Sequence, residues 1–529
     1  MEEQFLYPAQ SQTRQIIDLS GIWKFKVDFE GKGRDEGWQN GLSNYSEVPV
    51  PSSFNDLFTD KDVREHVGDV WYQTEFYLTE EWQQKNVNLR FGSATHRAEV
   101  WLNGVKIAEH EGGYMPFGAI INEAADFGAK NTLIVVVNNE LDLTTIPTGQ
   151  VKEYDDGKKR LFPYFDFFNY AGIHSAVKIQ LLPKDYIYDI STVTDYEGNT
   201  GYLNYEIEST SHSEIKVELK DEAGNVVAEA NGDSGKLEVE SVNLWQPGEG
   251  YLYNLEVSLL SSGETVDTYP LPVGIRTVEV KGNRFLINDE PSVGLFDMNM
   301  NFLAAGTGKE SDFFDKEIVH QKTKGNHKRE IKRLMKRDKN HASVVMWCLA
   351  NEPDSAQERA EEYFEEIFSY ARELDPQARP LTFTNIMTAP YGKCNAAQFA
   401  DVISLNRYYG WYLMGGAELR YSQKNFEEEL AGWEKEGKPI VMTEYGADTK
   451  AGIHKLPSVQ WSEEYQNEYL ELQHQVFDNC DSIVGEQMWN FADFQTVEGI
   501  LRVDGNKKGA FTRDRQPKMA AHLLKARWE

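Results

Sequence analysis

The sequence has 529 residues, 40% of them hydrophobic and 12% aromatic, which is enough for roughly two to four domains with sizeable cores. A formal net charge of −31 repels phosphates and argues against nucleic acid or an anionic membrane as a partner. No apolar run reaches membrane-spanning length, the first residues lack a signal-peptide pattern, and the three cysteines form no CxxC pair. Reduced thiols and a cytoplasmic location are therefore predicted.

Residues 1–183 carry the pattern of an all-β domain. Apolar residues such as Trp23 and Phe25 alternate with lysines, as in a strand with one buried face. Asn103 and Gly104 separate two further alternating runs, which predicts a hairpin with a tight turn. Many short strands separated by turn residues predict a β-sandwich or jelly roll.

Residues 184–275 continue the β pattern over a shorter length. Leu203, Tyr205 and Ile207 alternate with polar residues, and similar runs follow on either side of turn signals. The size and spacing predict a small immunoglobulin-like β-sandwich.

Residues 276–529 alternate strand-like runs with helical ones. Apolar residues from Tyr363 to Leu374 recur at helical spacing. The predicted strands are 344–350, 380–386, 402–408, 439–445 and 483–491. Such repetition predicts a parallel sheet or a TIM (β/α)8-type barrel, so that the fold class is multidomain β plus α/β.

Two of the predicted barrel strands end in a glutamate, Glu352 in one and Glu444 in the other. Asn406 and Trp489 occupy the same place at the ends of two more. Catalytic side chains of barrels lie at these carboxyl ends, and two facing carboxylates suit glycoside hydrolysis. A single glutamate here is better interpreted as the cap of the next helix; two at matching positions favour a catalytic pair.

Several segments together resemble glycoside hydrolase family 2, and most closely the β-glucuronidases within it. They include NEP (351–353), TEYG (443–446), YFDFFNYAGIH (164–174), SLNRYYGWY (404–412), EQMWNFADF (486–494) and LRVDGNKKGAFTRDRQPK (501–518). NEP alone is weakly specific, whereas the combined set is strongly specific and spans nearly the whole chain.

The resemblance implies a retaining mechanism in which Glu352 is the general acid/base and Glu444 the nucleophile. Asn351 would hold the 2-hydroxyl of the sugar. The other side chains expected around the sugar are Asp166, Asn406, Tyr408, Tyr412 and Trp489. The resemblance also implies no cofactor and a homo-oligomer, a tetramer or a dimer, and no sequence motif indicates a metal.

Asn506 and Lys508 form the Asn-x-Lys pair that marks glucuronidases within the family, and Arg502 lies close by in the sequence. A glucuronate carboxylate needs a local cation, above all in so acidic a protein. The alternative for this charged segment is a solvated basic loop. Another family 2 activity, such as that of a β-galactosidase, also stays open, although a neutral sugar has no use for the cation.

The early barrel strands are missing from the sequence. Between Lys281 and Ser343 only 284–288 and 292–296 are strand-like, and the GFG-x-HED and RTSHYP segments of the family are absent. We favour residues left out of the sequence, which predicts a break in the trace between 288 and 293. A genuine deletion would instead give a sugar-binding pseudoenzyme. The polar stretch 306–328 is predicted to be an active-site loop.

Overall fold

A computed structural model describes residues 6–291 and 312–529 of the chain. Strands dominate the first half, whereas strands and helices alternate in the second. Within the described ranges, none of the helices combines the length and the apolar character needed to cross a bilayer.

The first domain is a β-sandwich of two antiparallel sheets. One sheet has the order β3-β2-β4-β9-β6-β7 and the other the order β1-β12-β5-β8, while β10 and β11 form a separate hairpin. Two short helices, α1 (Phe54–Leu57) and α2 (Lys61–Arg64), follow β3. The strands are β1 (Gln15–Asp18), β2 (Gly21–Val27), β3 (Ser46–Val50), β4 (Asp69–Leu78), β5 (Asn86–Phe91), β6 (Arg97–Leu102), β7 (Val105–Glu111), β8 (Phe117–Ile120), β9 (Ala129–Asn138), β10 (Gly149–Glu153), β11 (Lys159–Pro163) and β12 (Val177–Leu182).

The alternating apolar residues of both sheets meet in one core. Trp23 of β2 and Val135 of β9 pack with Ile179 of β12 in a single buried cluster. The predicted tight turn between β6 and β7 is confirmed, because Asn103 and Gly104 both have positive φ, 51° and 83°. The expected sandwich is therefore present, with its inward faces filled by the residues whose alternation predicted it.

The second domain is also a sandwich, as predicted. Its sheets have the orders β13-β14-β17 and β16-β15-β18-β19. Leu203 and Tyr205, which predicted one of the strands, lie in its buried core. The strands are β13 (Ile187–Glu197), β14 (Thr200–Ser209), β15 (Glu214–Lys220), β16 (Val226–Asn231), β17 (Ser234–Glu240), β18 (Tyr253–Ser261) and β19 (Glu264–Val273).

The third region has a small antiparallel sheet and a larger parallel one. The small sheet has the order β20-β21-β22, and the parallel sheet runs β23-β24-β25-β26-β27 in chain order. Its strands are β20 (Val278–Lys281), β21 (Arg284–Ile287), β22 (Glu290–Pro291), β23 (Trp347–Asn351), β24 (Leu381–Asn385), β25 (Ile403–Asn406), β26 (Ile440–Tyr445) and β27 (Ile483–Met488). Its helices are α3 (Lys324–Asp338), α4 (Ala360–Leu374), α5 (Leu419–Trp433), α6 (Glu463–Asp478) and α7 (Met519–Trp528).

The parallel strands fall where the sequence predicted them, and the helices cover their outer side. Helix α4 buries Tyr363, Phe364 and Ile367 in a core shared with β23 and β24, as its helical spacing predicted. It ends one residue before Asp375-Pro376, where the proline restricts the residue preceding it. A buried ion pair of 2.8 Å between Lys339 and Asp189 joins this region to the second domain.

The run 284–288 forms a strand over 284–287, as its pattern indicates, and this strand, β21, pairs antiparallel with β20 and β22. One expectation about the early part of this region needs correction. Residues 317–328 are helical rather than an active-site loop. His327 donates to the Leu349 carbonyl (2.8 Å) and Asn326 to that of Thr144 (2.7 Å), which attaches this segment to β23 and to the first domain. The break expected between 288 and 293 is not seen over 288–291, where β21 turns into β22. The run 292–296, which contains the rest of that interval, and residues 306–311 lie outside the described residues.

Candidate active site

The two predicted glutamates lie at the same edge of the parallel sheet. Glu352 directly follows β23, and Glu444 is the penultimate residue of β26. Carboxyl ends of parallel strands share one edge, so both side chains enter the same cavity of about 300 Å³. Glu352 has a φ of 48°, a left-handed conformation that is strained for a residue with a Cβ and that is enriched at functional sites. Pro353 follows it and ends the strand.

Each glutamate is held by a neighbouring strand end. Asn406, the last residue of β25, donates from Nδ2 to Oε1 of Glu352 at 3.0 Å. Thr443 donates to Oδ1 of Asn406 at 2.7 Å and thereby fixes which end of the amide faces the glutamate. The hydroxyl of Tyr408 donates to Oε2 of Glu444 at 2.5 Å. The two carboxyl groups are therefore oriented before a substrate arrives.

Burial raises the pKa of both carboxyl groups of this pair, and their mutual repulsion adds to the rise at Glu444. Burial raises the pKa of Glu352, and Asn406 partly offsets that rise by stabilising the carboxylate. Burial also raises the pKa of Glu444 well above 4.5, and the neighbouring Glu352 carboxylate raises it further. Two like charges in one protein-enclosed cavity repel each other, so ionisation of one carboxyl group raises the pKa of the other.

Cationic side chains line one side of the same cavity. Arg502 pairs with Asp166 (Nε to Oδ1, 2.7 Å), and the Nδ2 of Asn506 donates to Oδ2 of the same aspartate at 2.9 Å. The hydroxyl of Tyr412 accepts from both Arg502 and Lys508, each at 2.8 Å. An anionic group of a ligand would thus meet an arginine, a lysine and an amide together.

Asp166 reaches this site from the first domain. It follows the β10–β11 hairpin, and the chain just after it is fixed to the barrel region by the backbone of Phe168, which donates to the Gln495 carbonyl at 2.9 Å. Phe165 and Phe167 line the cavity beside it. The wall of the cavity is therefore built by two domains.

Ten of the eleven predicted site residues line the cavity. They are Asp166, Asn351, Glu352, Tyr408, Tyr412, Glu444, Trp489, Arg502, Asn506 and Lys508. Asn406 lies directly behind, fully buried, and acts on Glu352. The enclosed Oδ1 of Asn351 has no hydrogen-bond partner among the described residues. It is therefore free to accept from a hydroxyl group of a ligand.

The structure adds residues that the sequence did not single out. Asp448 is completely buried and accepts from the Lys508 ammonium at 2.5 Å. Ile386, Met387 and Thr388, which follow β24, complete the cavity wall. Their position just after a strand of the parallel sheet was the available signal, since barrel sites draw on the loops after every strand.

The fold and the strand-end carboxylate pair define a glycoside hydrolase. Three family profiles match the chain: glycosyl hydrolases family 2, sugar binding domain, at residues 16–183; glycosyl hydrolases family 2 at 185–276; and glycosyl hydrolases family 2, TIM barrel domain, at 281–529. The chain belongs to glycosyl hydrolase family 2.

Similar proteins share most of their length with the chain. A β-glucuronidase of Paenibacillus borealis is 42% identical over 99% of this chain and 98% of its own, and one of Canis lupus familiaris is 37% identical over 100% and 93%. A crystal structure of Ruminococcus gnavus β-glucuronidase is 40% identical and covers 100% of both chains, with a TM-score of 0.96. The Paenibacillus alignment extends over 590 positions, whereas this chain has 529 residues; the relative thus contains positions without a counterpart here.

Proposed function

We propose that the chain is a retaining exo-β-glucuronidase that hydrolyses β-D-glucuronides to glucuronic acid and an aglycone by double displacement. The similar β-glucuronidases support this proposal, and the cation pair of Arg502 and Lys508 beside the two glutamates carries it. In a chain of net charge −31, two buried or half-buried cations converging on a sugar-sized cavity fit a uronate better than a neutral sugar.

In the first step, the Glu444 carboxylate attacks the anomeric carbon while Glu352 gives its proton to the glycosidic oxygen. The bond from the anomeric carbon to that oxygen breaks, the aglycone leaves as an alcohol, and a glycosyl ester forms on Glu444. The Tyr408 hydrogen bond supports this assignment because it favours the ionised form of Glu444 and so opposes the rise in pKa that burial and Glu352 cause.

In the second step, Glu352 acts as general base. It removes a proton from water, and the resulting nucleophile attacks the anomeric carbon and releases Glu444 as a carboxylate. Two inversions leave the configuration of the sugar unchanged. The proposed role of Asn351 is to hold the 2-hydroxyl, which its unpartnered Oδ1 supports.

The remaining proposed roles concern recognition. Asn506, Lys508 and Arg502 would hold the carboxylate of glucuronate. The side chains proposed to contact the sugar ring and its hydroxyls are Asp166, Tyr408, Tyr412 and Trp489, which line the cavity. Asn406 would orient Glu352 from behind.

The organisation proposed for the whole molecule follows the sequence. Residues 1–183 would form the sugar-binding-like jelly roll, 184–275 the immunoglobulin-like sandwich and 276–529 the catalytic domain. A homo-oligomer, a tetramer or a dimer, and a cytoplasmic location complete the proposal, and the mechanism requires no cofactor.

Paired chromogenic substrates test the proposal. The purified chain should hydrolyse a 4-nitrophenyl β-glucuronide and leave the matching β-galactoside and β-glucoside almost untouched. A preference for the galactoside would indicate another family 2 activity. Binding of a glucuronate analogue without hydrolysis would indicate a pseudoenzyme. The described part of the chain contributes five strands to the parallel sheet, whereas a complete (β/α)8 barrel has eight. This difference is the structural reason to test for a pseudoenzyme.

A further inference from the structure

We infer that Asp448 is the positioning residue that makes the cavity selective for a sugar carboxylate, by fixing the Lys508 ammonium; this inference rests on the proposed function. Asp448 lies three residues after β26, four residues beyond Glu444 in sequence. Its carboxylate is fully buried and accepts from the Lys508 Nζ at 2.5 Å. Its other oxygen accepts from the backbone N–H of Lys507 at 2.7 Å. Both oxygens thus hold the same short segment.

Lys508 has little freedom once these contacts are made. A second N–H of its ammonium goes to the Tyr412 hydroxyl at 2.8 Å, and the rings of Tyr408 and Tyr412 lie 5.5 Å and 4.8 Å from Nζ. An ammonium carries three N–H groups, so the two defined partners leave one for a ligand in the cavity that the lysine lines. A lysine stem has four rotatable bonds, and without a carboxylate partner the ammonium would not keep one position.

The second cation is arranged in the same way. Arg502 is held by Asp166 at 2.7 Å and shares the Tyr412 hydroxyl with Lys508. Its NH1 also lies 3.7 Å from Oδ2 of Asp448. Asp448 therefore lies within ion-pair distance of both cations, although it does not itself line the cavity.

A buried carboxylate–lysine pair usually has a purely structural role, so the test must separate the two roles. The probes are uronic isofagomine and isofagomine, which differ in the carboxylate, and binding is measured by calorimetry. The wild type should bind the uronic form more tightly. Asp448→Asn should reduce that preference by about tenfold or more, because the charge-assisted contact depends on a fixed ammonium. Asp448→Glu should restore part of it.

A matched control and a double variant complete the experiment. Asp189→Asn removes the carboxylate of the buried pair with Lys339, which lies at the contact with the second domain and not in the cavity; it should lower Tm and leave the preference intact. In a Lys508→Ala background, Asp448→Asn should have no further effect on the preference, since the ammonium it positions is gone.

The outcomes distinguish this inference from the proposed function. If the wild type prefers the uronic probe and Asp448→Asn keeps that preference, the inference alone is overturned. Equal weakening of both probes would likewise show a structural role for Asp448. A wild type without any preference for the carboxylate would overturn the proposed function together with the inference.

Discussion

The hydroxyl of Tyr408 donates a 2.5 Å hydrogen bond to Oε2 of Glu444. Burial and the adjacent carboxylates raise the pKa of Tyr408 well above 10, so it stays protonated and remains a donor across the working pH range. The tyrosine follows β25 and the glutamate belongs to β26, which are paired strands. Sheet geometry therefore fixes the contact that orients Glu444, the proposed nucleophile.

Replacing Glu444 by Gln should abolish turnover, because an amide cannot form the glycosyl ester. Tyr408→Phe should be milder and lower kcat roughly ten- to a hundredfold, as expected for a charge-assisted hydrogen bond of about 1.5–3 kcal/mol. Initial rates on a glucuronide with a good leaving group measure both. If Glu444→Gln retained near-normal turnover, the nucleophile would have to be another residue.

Glu352→Gln should affect substrates according to their leaving groups. Poor leaving groups need the proton that Glu352 supplies, whereas a dinitrophenolate leaves without it. We expect the rate on alkyl glucuronides to fall by several orders of magnitude. The rate of the first step on the dinitrophenyl substrate should fall much less. Equal losses on both would contradict the acid/base assignment. NMR of the first-formed sugar should show retained configuration, and an inverted product would exclude the double displacement.

Lys508→Ala should discriminate between charged and neutral sugars. Loss of a charge-assisted contact worth about 1.5–3 kcal/mol predicts roughly a ten- to hundredfold lower kcat/KM on a glucuronide. The matching glucoside, which lacks the carboxylate, should change far less. A similar fall on both substrates would assign the lysine a structural role.

The fall in activity at high pH, the alkaline limb of the pH–activity profile, should reflect the pKa of Glu352. Its pKa is raised by burial, so the general acid is protonated at low pH and activity falls as pH rises through that raised pKa. Asn406→Ala removes a donor that favours the ionised form, so the pKa of Glu352 should rise and the alkaline limb move to higher pH. The variant should also be slower. A limb that shifts to lower pH would show that Asn406 does not act through this carboxyl group.

Buried histidines predict destabilisation by acid. Burial lowers the pKa of His327 from 6.5 to about 4, so the folded state favours its neutral form. The stabilisation is complete above pH 6.5 and is lost as pH falls toward 4, at about 1.4 kcal/mol per pH unit for each such group. His327→Gln should flatten the dependence of unfolding free energy on pH over this range, measured by urea unfolding. An unchanged slope would show that His327 does not take up the proton on unfolding.

The positions of Glu352 and Glu444 could be predicted from the sequence because the signal is local. Each follows a short apolar run, and the run and the acid together define a strand and its tip. The helix that begins at Ala360 was predictable for the same reason, since its buried residues recur at helical spacing.

Asp448 could not be found in this way. It is one acidic residue among 85 acidic side chains, and its partner Lys508 lies 60 residues further along the chain. The run 284–288 shows a different limit, because so short an apolar run looks alike in an antiparallel hairpin and in a barrel strand. Long-range pairing decides both cases, and no local pattern encodes it.

Asp166 belongs to the first domain but pairs with Arg502 and Asn506 of the third. A fragment that begins at residue 276 would therefore lose the anchor of its own arginine as well as a wall of the cavity. If evolution replaced the first domain by that of another protein, the residues that line the cavity would change as well as an accessory domain. For a protein engineer, the β10–β11 hairpin and the segment after it are consequently as suitable a target for altering selectivity as the barrel loops.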